Sequence, residues 1–178
     1  MKRIVSIIIA LTVTFVAAFA QGSLLKQTLE IAEVEVNDVT LSVFNMPENG
    51  QNHYYLCAGN LGFGDDFIQL QLDPVSELFI PLGDTLDDAQ AKLEEFKALA
   101  KKPAGTGFET VGCLAIGNPS MAEQETVKAT SRRFLGQKLV EFSVRRNGYI
   151  RAAHIARGQI GSLASGVKIY RKLHPKQQ

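Results

Sequence analysis

Histidine and cysteine are scarce in this chain, three and two among 178 residues, and neither is arranged for a metal. His53, His154 and His174 have no mutual spacing suited to coordination, and neither Cys57 nor Cys113 has a ligand-type residue beside it. A framework of many disulfides is excluded, so the core must come from apolar burial, for which the chain is long enough. No serine stands in a nucleophile-elbow setting. The acid pairs Asp65-Asp66 and Asp87-Asp88 read as a loop and a helix start rather than as a catalytic acid and base. The run Gly59-Asn60-Leu61-Gly62-Phe63-Gly64 is followed by an expected strand, whereas a phosphate-cradling glycine loop needs a helix there. The expectation is a protein with no catalytic residues, no metal and no cofactor.

Arginine is absent from Gly22 to Pro103. That stretch carries five lysines against fourteen acids, a net −9, whereas Ala104 to Gln178 carries twelve basic residues against four acids, a net +8. The formal charge of +1 for the whole chain hides this split. Opposite halves allow head-to-tail self-association, or docking to a partner of either sign.

The chain opens with an address. Lys2 and Arg3 precede the apolar run Ile4 to Val16, and Ala18-Phe19-Ala20 supplies a small-x-small cleavage pattern. The run is short for a bilayer span, and no stop-transfer cluster follows. No cysteine lies near the cut for lipid attachment. Residues 1–20 therefore read as a signal peptide, and residues 21–178 as a single exported domain, periplasmic or secreted.

Alternation marks strands at Val34–Phe44 (one, or two around Asn37-Asp38), His53–Ala58, Phe67–Leu72 and Leu78–Leu82. Pro81 cannot donate to a ladder, so the last of these is expected at an edge or to end there. Thr85-Leu86-Asp87-Asp88 has capping-box spacing, and Leu86, Ala89, Leu93, Phe96 and Ala100 form a helical stripe stopped by Pro103. The order then recurs. Strands are expected at Phe108–Ile116, Thr126–Arg132, Leu139–Val144 and Tyr149–Ile155, with Asn147-Gly148 as a tight turn. A second helical stripe follows in Ile160, Leu163, Val167 and Tyr170. Gly161 and Gly166 weaken that helix, by about 1 kcal/mol each relative to alanine. At an offset of about seventy-two residues, Val39 meets Val111, Pro47 meets Pro119, Gly64 meets Gly136 and Pro103 meets Pro175. The expected fold class is α+β, with pseudo-repeated ββββα units at about 34–103 and 106–175 and antiparallel sheets packed around one core.

Four strands and a helix, repeated, resemble the element order of the Whirly-type single-stranded-DNA-binding fold, which implies two antiparallel sheets packed across each other. That family's Lys-Gly-Lys-Ala-Ala-Leu type motif does not occur here, so none of its binding residues carries over. The chain also resembles small secreted proteins of Gram-negative bacteria, a likeness that implies no activity.

The faces expected to point outward supply the candidate surfaces. In the second half they carry Lys128, Arg132, Arg145 and Arg151, suited to a polyanion such as single-stranded nucleic acid, an anionic glycan or lipid headgroups. In the first half they carry Tyr54, Leu56, Phe67 and Phe79, an apolar patch that is either covered or used for binding. Cys57 and Cys113 are expected inward, where export makes a bond between them possible. His154 is expected at a strand end, partly buried, in a structural role. The functional expectation is an exported, non-enzymatic binding or protein-interaction module, its partner a protein or an envelope component, with polyanion binding as the alternative.

Overall fold

Among the described residues, period-two alternation becomes nine strands and the two helical stripes become two helices. β1 (Leu29–Val36), β2 (Val39–Asn45), β3 (Tyr54–Asn60), the two-residue β4 (Gly62–Phe63) and β5 (Glu77–Gly83) precede α1 (Leu86–Leu99). β6 (Gly107–Ala115), β7 (Gln124–Phe134), β8 (Gln137–Arg146) and β9 (Tyr149–Ala156) precede α2 (Arg157–Leu173). The computed structural model describes residues 29–36, 39–60, 62–63, 77–115, 118–120, 122–146 and 148–175. The signal peptide expected at residues 1–20, the strand expected at Phe67–Leu72 and the Asp65-Asp66 pair lie outside these residues.

The fold is α+β, and its strands form one antiparallel sheet in the order β1-β2-β3-β5-β6-β7-β8-β9-β4. The expectation of more than one sheet is thereby corrected. β5 pairs with β3 on one side and β6 on the other, so Phe79 stands between Cys57 and Cys113 and joins the halves. The sheet also curls. β4 follows β3 after one residue and pairs with β9 at the far end of the strand order, Gly62 opposite Ala152. Pro81 sits in an interior strand, opposite Tyr55 of β3, but the pairing of β5 with β6 stops at Phe79. The missing N–H therefore falls where β6 asks nothing of it.

Both helices lie on one side of this sheet. Thr85 caps α1, its Oγ1 accepting from the Asp88 N–H at 3.0 Å, and Asp87 and Asp88 sit at the positive end of the dipole. α2 starts less favourably. Ala156 has no side chain to cap with, no acid stands in the first turn, and Gln159 Oε1 accepts from the Ala156 N–H at 2.6 Å instead. The helices run antiparallel, since Arg171 near the end of α2 pairs with Asp87 at the start of α1, while Lys97 lies beside Gly161.

The apolar stripes of the helices meet the matching face of the sheet. Leu86, Leu93 and Phe96 of α1 and Ile160, Leu163 and Val167 of α2 are fully buried, with Val43, Leu56, Ile80, Val140, Phe142 and Ile155 from the strands. Phe96 meets Phe142 edge-on at 4.9 Å between centroids and stacks on Phe108 at 6.0 Å. Phe96→Ala should therefore destabilise by about 3–5 kcal/mol.

The two glycines of α2 have different reasons to be there. A Cβ on Gly166 would lie 2.6 Å from the Ala32 Cβ, so glycine lets α2 approach β1; one on Gly161 would meet only the Lys97 side chain, at 3.6 Å. Gly161→Ala should raise stability by about 0.5–1 kcal/mol through helix propensity. Gly166→Ala should lower it despite the same propensity gain. Urea unfolding of the two variants beside the parent checks both signs.

Candidate binding surface

Register decides which side chains reach the outer face of the sheet, the one away from the helices. Lys128 falls between the buried Val127 and Ala129, Glu141 between Val140 and Phe142, and His154 between Ala153 and Ile155. These three therefore point outward. Rows cross the strands at Glu109–Lys128–Ser143–Ala152, Thr130–Glu141–His154 and Arg132–Leu139. Lys128, Arg132 and Arg145 are exposed. They are spread along the face, Arg132 and Arg145 about 20 Å apart at the rise of a strand, and Glu109 and Glu141 stand among them.

Three other candidates are placed differently. Arg151 shares the phase of Ala153 and Ile155, opposite Val144, so it points to the helix side and is 7% exposed. Tyr54 and Leu56 are buried in the main core at 1% and 0% exposure, which inverts the expected phase of β3. Phe79 does lie on the outer face, but it is 2% exposed within a second apolar cluster of Phe44, Met46, Cys57 and Cys113. Phe44 stacks on Tyr55 and meets Phe79 edge-on. The cover comes from the β6–β7 connection, whose buried Pro119 accepts from Cys113 Sγ at 3.7 Å and whose Ala122 packs on the same cluster. Phe67 lies outside the described residues.

Cys57 and Cys113 flank Phe79 in register on three adjacent strands. Two strand spacings put them about 10 Å apart, beyond the reach of a disulfide, and both are thiols buried in the outer cluster rather than inward. Burial pushes the Cys113 thiol up to about 11, with Glu125 adding to the rise.

Glu141 organises the polar part of the face. It is only 17% exposed, and it accepts from Arg132 Nη2 at 2.9 Å and bonds His154 Nε2 at 3.1 Å. Burial alone would raise its carboxyl; the hydrogen bonds and charges of Arg132 and His154 outweigh that and hold it below the ordinary carboxylate value. His154 is thus satisfied but exposed, on the outer face rather than half-buried at a strand end.

At the β7–β8 turn, the chain makes three choices that do not serve the fold. Phe134 pairs with Gln137, leaving a two-residue loop of Leu135 and Gly136 with φ of +47° and +80°. Such a turn favours asparagine, aspartate or glycine at its first position; leucine in the left-handed region costs about 1–2 kcal/mol. Leu135 is nonetheless 88% exposed, and Phe134 beside it 66%. Arg133 faces Lys138 directly across the strands, a like-charge pair that destabilises a sheet. No acid occurs from Thr126 through Val140. Sequence reasoning passed over this tip because it falls between the strands expected at Thr126–Arg132 and Leu139–Val144. The available signal was two apolar residues directly before that glycine, between two basic ones.

The turn also borders a cavity of about 590 Å³, lined by Lys97, Gly136, Lys138 and Arg157 among others. Arg157 Nε itself is buried, with no hydrogen-bond partner among the described residues. Among the described residues, no group of three histidines, cysteines or acids is placed to hold a metal, and no helix is long and apolar enough to cross a membrane. No protein family, curated protein or solved structure matches the chain.

Two measurements check this geometry. Intact mass after alkylation should report no Cys57–Cys113 bond, with both thiols slow to react until denaturant is added. Glu141→Gln should destabilise by up to about 1 kcal/mol at neutral pH, since Arg132 is half-exposed. A carboxyl held low stabilises fully above its ordinary value, about 4.3, and loses that contribution as pH falls through the lowered one. The gap between parent and variant in urea unfolding should therefore close in acid.

Proposed function

We propose that this protein is an exported, non-enzymatic binding module that engages an anionic partner through the β7–β8 hairpin end. The observation that carries the reading is the concentration of positive charge there. Arg133 and Lys138 belong to the hairpin with Arg132, which Glu141 pairs, and Arg157 lines the adjoining cavity with Lys97, which Glu94 pairs. The start of α2 adds the positive end of a helix dipole with no acid in its first turn. Export rests on the leader at residues 1–20. The absence of enzymatic activity is inferred from the lack of any catalytic motif in the sequence.

The broad basic face expected from sequence contributes less, because Glu109 and Glu141 offset it. The aromatic face contributes nothing to this reading, since Phe79 is covered and Tyr54 belongs to the core. We also infer a pseudo-repeat of two ββββα units at about 34–103 and 106–175, supported by β2, β3, β5 and α1 preceding β6, β7, β9 and α2 by about seventy-two to seventy-four residues; the counterpart of β8 falls at 67–72, outside the described residues.

A salt titration on an immobilised polyanion such as heparin tests the charge. Retention should weaken steeply with salt, and Arg133→Gln/Lys138→Gln should flatten the slope by about two charges' worth. The same pair should leave stability unchanged or raise it, because it removes a cross-strand repulsion. Retention indifferent to salt, or equal in the double variant, rejects the reading.

A further inference from the structure

We propose that the anionic partner is a lipid bilayer surface, and that Phe134 and Leu135 enter it as an apolar tip while Arg133 and Lys138 hold the headgroup phosphates. This rests on the reading of the hairpin end as an anion-binding site, and it names the anion. A nucleic acid or glycan would account for the cations but not for the leucine. At the first loop position, asparagine or glycine suits the backbone better, and Leu135, 88% exposed, has little packing to justify its place. Strain kept at an exposed apolar residue implies a function that uses the side chain.

The geometry fits an interface of water and hydrocarbon. Leu135 stands at the apex of a two-residue turn. Phe134 is next to it, and the cations follow one to three residues away on the two strands. Apolar insertion plus a basic patch is the two-part pattern that gives peripheral proteins stable membrane attachment. The rest of the hairpin is well held, since Ser131 Oγ donates to the Lys102 carbonyl at 3.0 Å and Arg132 is fixed by Glu141. A rigid tip loses little freedom on binding. Docking onto a second copy of the chain fits less well. Two side chains at a turn offer a few hundred Å² at most, against about 800 Å² per partner in a stable protein interface.

The test uses the chain from Gln21 onward, so that the apolar leader adds no affinity of its own. Co-sedimentation with phosphatidylcholine–phosphatidylglycerol vesicles is compared with pure phosphatidylcholine vesicles and with heparin retention. Binding to the anionic vesicles only is expected. Phe134→Ser and Leu135→Asn should each weaken it about tenfold or more, with heparin retention nearly unchanged. Leu135→Asn should also unfold at equal or higher urea than the parent, so a loss of vesicle binding cannot be put down to misfolding. Vesicle binding unaffected by both substitutions overturns the apolar tip while leaving the anionic reading intact. Salt-sensitive heparin retention without vesicle binding overturns the lipid assignment in the same way, and concentration-dependent self-association lost in Leu135→Asn would reassign the tip to a second copy. Failure to bind either vesicles or heparin removes both readings.

Discussion

Everything else in this molecule hangs from the contact between an antiparallel helix pair and one side of a single curled sheet. Leu93 and Phe96 of α1, with Ile160 and Val167 of α2, are removed completely from water against Val140, Phe142 and Ile155. That contact sets the phase of every strand. Once Phe142 points at Phe96, Glu141 and Ser143 must point away, and through the ladder so must Lys128 and His154. The outer surface of the sheet is thus a consequence of which side the helices cover.

The second apolar cluster follows from the same constraint. With Leu56 and Ile80 committed to the helices, Cys57 and Phe79 are left on the outer face, where an uncovered patch of that kind invites aggregation. Pro119 and Ala122 of the β6–β7 connection lie against it. The first half of the outer face is therefore closed, and the second half remains open at its β7–β8 end. The open end is also where the chain departs from what a stable hairpin favours, with leucine in a left-handed position and Arg133 opposite Lys138. Departures of this sort mark positions that answer to something other than folding.

Much of the fold was legible because local signals carry it. Thr85 and Asp88 mark the start of α1, the stripe through Phe96 marks its buried side, and Asn147-Gly148 marks a turn that the β8–β9 register agrees with. The candidate surface was less legible. Lys128, Arg132 and Arg145 lie exposed on the outer face as expected, whereas Arg151 lies one phase away on the helix side, and the exposure of Phe134 and Leu135 had no counterpart among the expectations. A charged residue at a strand end reads as solvated whichever way it points. Arg151 lies on the helix side, in a strand whose backbone pairs with both β8 and β4.

The sequence by itself determined the sites of most strands and both helices, the charge contrast between the halves, and the leader that directs export in the proposed reading. Each depends on neighbours within a few residues or on composition alone. Only the tertiary structure decided that the strands form one sheet, that Tyr54 and Leu56 face the core while Cys57 and Phe79 do not, and that two thiols in different halves stand two strands apart. Alternation states that a strand has two faces without saying which one the helices will cover, because that choice is made by contacts between residues far apart in the chain.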